Sequence, residues 1–232
     1  VLTNPEWDVV PGLRHGFLDL DDSTVAGAGD WSRALGALGI QLPAVTVRQV
    51  HGARVVVAEP AAEPPEADGI LTRERGLALG VVTADCVPVL MLARSAGVVA
   101  AVHAGWRGAA AGVLESALRR LRETSDIAPA DVEVALGPSI GPCCYRVGAE
   151  VQAAFTARTG TTTAAAWTPA GERLVLDLRA AARLLLEASG VRSVTAVGPC
   201  TCCTPTLASY RRDGAGAGRQ LSFIGWDGAR SA

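Results

Sequence analysis

The chain has 232 residues, 49% of them hydrophobic, with a formal net charge of −2 and a pI near 6.0, enough apolar material for one full core or at most two small ones. Nothing in so balanced a charge suggests a protein built to grip a phosphate backbone, although local Arg clusters can hold one small anion, and no nucleic-acid partner is expected. All 21 basic residues are Arg, which excludes a Walker A loop and lysine Schiff-base chemistry and leaves guanidinium forks, backbone N–H groups or a metal to recognise anions.

The opening segment "VLTNPEWDVV" lacks the basic flank and apolar core of a secretory signal. Residues 44–58, "AVTVRQVHGARVVVA", read as two strands around a turn at His51-Gly52, and 61–66, "AAEPPE", as a Pro-rich loop. Short apolar strands follow: "ADGILT", Leu77–Ala84, 87–93 and 97–102, the last two joined by "RSAG". The longest apolar run, Leu77 to Ala93, is broken by Asp85 and Pro88 and is too polar at its centre to span a membrane. No membrane partner is expected, and the expected location is cytoplasmic.

Beyond Arg107 the period changes. Val113, Leu114, Ala117, Leu118 and Leu121 recur at three and four with Arg119, Arg120 and Arg122 opposite, which predicts one amphipathic helix over 108–123. A strand at 131–136, helices near 148–158 and at 177–189, and a strand at 191–197 complete an alternating C-terminal third. "EVALGPSIGPCC" and "TAVGPCTCC" both set Gly-Pro and cysteines just past a strand, as two halves of a repeat would. No linker composition divides the chain, so the reading is one α/β domain over 1–232.

The six cysteines fall at 86, 143, 144, 200, 202 and 203. Adjacent pairs such as Cys143-Cys144 and Cys202-Cys203 are poor disulfide partners, and neither cluster is read as having the C-x-x-C spacing of a structural zinc site. Reduced thiols are expected, with no metal on Cys143, Cys144, Cys200, Cys202 or Cys203.

Cys86 has better company. His51 in "RQVHG", Cys86 in "TADCVP" and His103 in "AVHAGWRG" each stand where an apolar strand ends. Alone, Cys86 reads as a small buried apolar side chain and each His as a turn residue. Together, two imidazoles and a thiolate form the three-ligand set of a catalytic zinc site with one position open. Asp85 is then a candidate second-sphere acceptor for a histidine or a general acid or base, and equally a turn-capping Asp. Arg107 at a helix start, Arg48 three residues before His51, and Arg211 and Arg212 in "SYRRD" are candidate anion ligands, Arg107 best and Arg212 least.

From about residue 45 to 227, "RQVHG", "ADGILT", "TADCVPVLM", "AAVHAGWRGAAAGVLE", "LGPSIGPCCYRVG", "PCTCC", "SYRRD" and "GRQLSFIGW" resemble, in this order, the YfiH family. Its members were long labelled multicopper polyphenol oxidoreductases or laccase-domain proteins and are described as purine nucleoside phosphorylases. The resemblance implies a four-layer α/β/β/α sandwich with mixed sheets and one zinc on His51, Cys86 and His103. It also implies phosphorolysis of adenosine, inosine and 5′-methylthioadenosine, and deamination of adenosine. The substrate partners implied are a purine nucleoside and phosphate. On that reading Arg48 or Arg107 positions phosphate, Asp85 transfers a proton, Cys86 holds the metal, and Arg211 and Arg212 assist in substrate binding. Where the family usually carries a "GGVS" loop near substrate, this chain has "RHGFLDLDDSTVAGAGD", and Asp19, Asp21 and Asp22 would repel phosphate if they entered the site. The alternatives are a copper-dependent polyphenol oxidase, a cysteine hydrolase using Cys86 and His103, and a metal-stabilised binding protein. Copper chemistry is disfavoured, because a trinuclear cluster needs more than three histidines and Met91 is the only candidate axial ligand.

Overall fold

The computed structural model describes residues 1–24, 30–59 and 63–228, so residues 61 and 62 of the Pro-rich loop lie outside the described residues. In chain order its strands are β1 (Leu13–Phe17), β2 (Ala44–Thr46), β3 (Val55–Val57), β4 (Gly69–Thr72), β5 (Leu77–Thr83), β6 (Val87–Ala93), β7 (Val98–Ala104), β8 (Glu133–Leu136), β9 (Arg146–Val147), β10 (Trp167–Ala170), β11 (Arg173–Leu176), β12 (Ser193–Ala196) and β13 (Gln220–Trp226). The α-helices are α1 (Pro5–Asp8), α2 (Leu20–Thr24), α3 (Trp31–Ala37), α4 (Trp106–Ala111), α5 (Val113–Ser125), α6 (Ala149–Thr159), α7 (Leu178–Ala188) and α8 (Tyr210–Asp213).

Two mixed sheets stack face to face, one ordered β1-β13-β5-β2 and the other β12-β8-β6-β7-β4-β3. Strand alternation explains the stacking. Leu90 and Leu92 of β6 meet Leu79 and Val81 of β5 and Ile224 of β13 between the sheets. Val87, Val89 and Met91 point the other way, under residues of α4, α5, α6 and α7. The far face of the smaller sheet is covered by Leu18 and by Ala34 and Leu35 of α3, packed on Ala78, Leu221 and Phe223. The layers run α/β/β/α, as expected. A strand buried on both faces gains nothing from polar alternation, which is why β6 is an unbroken apolar run.

Several readings change. The two strands expected in 44–58 belong to different sheets, β2 pairing with β5 and β3 with β4, so the His51 turn carries the chain from one sheet to the other. The single helix expected over 108–123 is two, because Gly112 at φ 95° ends α4 and starts α5. β13, whose "GRQLSFIGW" carries no strand expectation, pairs with both β1 and β5 inside the four-stranded sheet. The proposed repeat halves do lie side by side. β8 and β12 pair in parallel, Glu133 opposite Ser193, and the match continues in a bridge between Ser139 and Cys200. Among the described residues no helix is long and apolar enough to cross a membrane.

Candidate metal centre and cavity

Three separate segments deliver the candidate ligands to one place. His51 sits in the crossing between sheets, Cys86 in the tight turn from β5 to β6, and His103 near the end of β7. Their ligand atoms all lie within 4.8 Å of one another. The imidazoles of His51 and His103 meet edge to face with centroids 4.7 Å apart. Two non-glycine residues here take positive φ, His51 at 59° and Asp85 at 89°, backbone strain of the kind concentrated at functional sites. Gly105 allows the close approach, since a Cβ there would stand 2.9 Å from Cys86 Sγ and 3.1 Å from His51 Cδ2.

The residue that organises the set is Asp68, fully buried at the start of β4. Its Oδ1 meets His103 Nδ1 at 2.8 Å and accepts the His51 backbone N–H at 2.9 Å, while its Oδ2 accepts the N–H of Gly52. Burial raises the Asp68 carboxyl, but His103 and these N–H groups outweigh it and hold the group below its ordinary range. A carboxylate on Nδ1 leaves Nε2 of His103 free to ligate, the carboxylate–histidine arrangement found behind metal ligands. Burial also raises the Cys86 thiol, yet His103 and His51 bring it down to about 6. His103 itself, lowered by burial, is raised by Asp68 and Cys86 to about 9. Both shifts favour a thiolate beside an imidazolium in the metal-free site. Three nitrogen and sulfur donors fixed by a buried carboxylate fit the chemistry of a catalytic zinc site, which uses three protein ligands.

The second-sphere role considered above for Asp85 falls to Asp68. Asp85 instead faces the other wall, where its Oδ1 accepts the Thr201 hydroxyl at 2.7 Å and its Oδ2 the Arg211 N–H at 2.6 Å. Beside the three ligands opens a cavity of about 600 Å³ bordered by Asp85, Arg107, Arg211, Arg219, Trp106, Tyr145 and Tyr210 among others. Arg107 stacks on Trp106 with its guanidinium 4.5 Å from the ring centroid. Arg211 stacks on Tyr145 and donates to the carbonyl of Cys144.

Two expected ligands are not brought in. Arg48 is exposed, pairs with Glu66 at 2.7 Å and does not border the cavity. Along extended chain, successive side chains face opposite ways, and it is Gln49 that turns inward, bonded to both N–H and carbonyl of Val82. The Arg212 guanidinium is absorbed by the carbonyls of Thr201, Thr204 and Leu207 and by Asp213, a loop fastener rather than a substrate ligand. Asp19, Asp21 and Asp22 also stay out: Asp19 accepts the Asp22 N–H at the start of α2, and none of the three borders the cavity, while residues 25–29 of that segment lie outside the described residues.

Asp68, Arg219, Tyr145 and Tyr210 were missed as site residues. Only Asp68 carried a signal, an Asp-Gly opening an otherwise apolar strand. The reading of the remaining cysteines also needs correction. Cys143, Cys144, Cys200 and Cys203 come within 4.8 Å of one another; Cys200 and Cys203 do stand at C-x-x-C spacing, hidden by treating Cys202 and Cys203 as a pair.

Residues 16–227 match the family model described as multi-copper polyphenol oxidoreductase laccase. Purine nucleoside phosphorylase YlmD of Geobacillus stearothermophilus is 38% identical over 196 residues, covering 78% of this chain and 71% of that protein. Purine nucleoside phosphorylase YfiH of Escherichia coli is 39% identical over 183 residues, covering 78% and 72%. In three dimensions the chain resembles a Neisseria meningitidis protein of the DUF152 family, with TM-score 0.82, 31% identity and coverage of 98% and 99%. The crystal structure of YlmD follows at TM-score 0.81, 30% identity and coverage of 97% and 94%. By model match, identity and fold, this chain belongs to the YfiH group of the multi-copper polyphenol oxidoreductase laccase family, whose curated relatives are named purine nucleoside phosphorylases.

Proposed function

We propose that the chain is a zinc-dependent purine nucleoside phosphorylase acting on adenosine, inosine and 5′-methylthioadenosine, and that the same centre deaminates adenosine. The observation that carries this reading is a cavity holding a His, Cys, His donor set together with Arg107, for which no carboxylate partner is found among the described residues. Zinc on His51, Cys86 and His103 would supply Lewis-acid polarisation of a substrate oxygen. The protein groups do the rest. Arg107 binds the phosphate by charge-assisted hydrogen bonds. Trp106, Tyr145 and Tyr210 provide aromatic surface for the purine. Asp85 is the one carboxylate among the described lining residues; we assign it to pass a proton to the departing base, its oxygens oriented by Thr201 and the Arg211 N–H.

Inosine tests this cleanly, because it has no amino group to lose. Turnover to hypoxanthine should require phosphate and yield ribose 1-phosphate, not ribose. Arg107→Ala should raise the phosphate concentration needed by about ten- to more than a hundredfold, the equivalent of one lost charged hydrogen bond. Equal hypoxanthine production with and without phosphate would overturn the reading.

A second reading rests on the Asp68–His103 contact of 2.8 Å beside Cys86, the order of a cysteine hydrolase. It leaves His51 without a task, and full activity after chelation would be needed to prefer it. Copper oxidation has less support. Of the three histidines, His15 accepts the N–H of Asn4 away from the cavity, and Met91 is buried in the helix-side core.

A further inference from the structure

We infer that Cys143, Cys144, Cys200 and Cys203 form a second metal site, a closed four-thiolate centre for a soft divalent cation such as zinc. The four sulfur atoms lie within 4.8 Å of one another, with Cys144 Sγ and Cys203 Sγ 3.4 Å apart and Cys143 Sγ and Cys203 Sγ 3.6 Å apart. Zinc–sulfur bonds of about 2.3 Å at tetrahedral angles place sulfurs about 3.8 Å from each other. The spacing found is close to the edges of that tetrahedron and well beyond a disulfide bond of about 2 Å.

The loops are built to hold it. Ser139 and Cys200 form a parallel bridge that continues the β8–β12 pairing, and the Thr201 N–H donates to the Ser139 carbonyl. That register sets the 141–144 turn against the 200–203 turn. Gly141 donates its N–H to Cys200 Sγ at 3.1 Å, the kind of bond that orients a ligating thiolate. A Cβ on Gly141 would stand 3.2 Å from Cys200 Cβ and 3.4 Å from Cys143 Sγ, so the glycine keeps the sulfurs close. Binding would release the thiol protons to solvent and leave the cation fully wrapped in sulfur, with no position open for substrate. The site is thus structural. It joins the loop bearing Tyr145 to the loop whose Thr201 holds Asp85, borders the cavity with none of its four cysteines, and is independent of the proposed reaction.

The test loads reduced protein with zinc alone, then with cobalt(II) alone, and counts metal against the Cys86→Ala variant. Wild type should bind a second equivalent, and Cys86→Ala should retain one, with the intense visible absorption of cobalt bound by four thiolates. The Cys143→Ser/Cys203→Ser double variant should lose that absorption and one equivalent, whereas Cys202→Ser should lose neither. Cobalt spectroscopy on unmutated protein keeps the test valid if a variant fails to fold. Reduced Cys86→Ala protein that is folded yet binds no zinc would overturn the inference. So would a cobalt spectrum in wild type that lacks four-sulfur bands, or a Cys144–Cys203 disulfide in protein purified under reducing conditions.

Discussion

At the scale of single residues, the proposed metal centre depends on a carboxylate that does not border the cavity. Asp68 accepts from three backbone N–H groups, those of Val50, His51 and Gly52, and contacts His103, so it fixes both the His51 turn and the His103 ring. Asp68→Asn keeps the shape but gives up the charge and one acceptor, and should lower zinc affinity about 10- to 100-fold. Competition against a chelator of known affinity measures this, and unchanged affinity would refute the role. His51, Cys86 and His103 were legible in the sequence because each is a soft donor at the end of an apolar strand. Asp68 was not, since its partners are 16 to 35 positions away and nothing local announces them. Arg48 misled for the opposite reason, as nearness to His51 in sequence says nothing about which way alternate side chains face.

Among the elements, the α4–α5 break shows what periodicity hides. Leu114, Ala117, Leu118 and Leu121 keep a helical stripe that extends back through Ala110, so the pattern reads straight across a corner. Gly112 makes the corner at φ 95°, and Arg158 completes it, its guanidinium donating to the carbonyls of Ala109 and Ala110 and pairing with Glu115 at 2.9 Å. A Cβ at Gly112 would stand 3.2 Å from Arg158 Nη1, and any residue bearing one would have to hold a positive φ. Gly112→Ala should therefore cost about 1–2 kcal/mol, read as a lower denaturant midpoint at unchanged slope, with metal content intact. No loss of stability would mean that the corner relaxes freely. β13 was invisible for a related reason, because all seven of its residues are buried and it follows a Gly-Ala tract that gives no strand signal.

For the whole molecule, the apolar content and alternating C-terminal third pointed to an α/β architecture, and the family motifs to its four layers. The pairing of β13 between β1 and β5 brings the two ends of the chain together in one sheet, a long-range choice that local pattern does not encode. That junction contains His15 on β1, buried against Trp7, with Nε2 accepting the Asn4 N–H at 3.0 Å and lying 3.6 Å from Asp8 Oδ1. Burial lowers its pKa from the ordinary 6.5, more than Asp8 and the Asn4 carbonyl raise it. The folded state thus prefers the neutral ring, and the unfolded chain binds the proton more readily. This contribution is whole above pH 6.5 and is lost as the pH falls from there through the lower folded value. Cys86 acts on the same side in metal-free protein, its contribution fading as pH falls through about 6, so the comparison must isolate His15. His15→Gln retains an acceptor without a titrating group, and its stability should fall less steeply than wild type between pH 7 and 5. Parallel denaturation curves for the two proteins across that range would show that the sheet junction tolerates a charged His15 and would overturn the assignment.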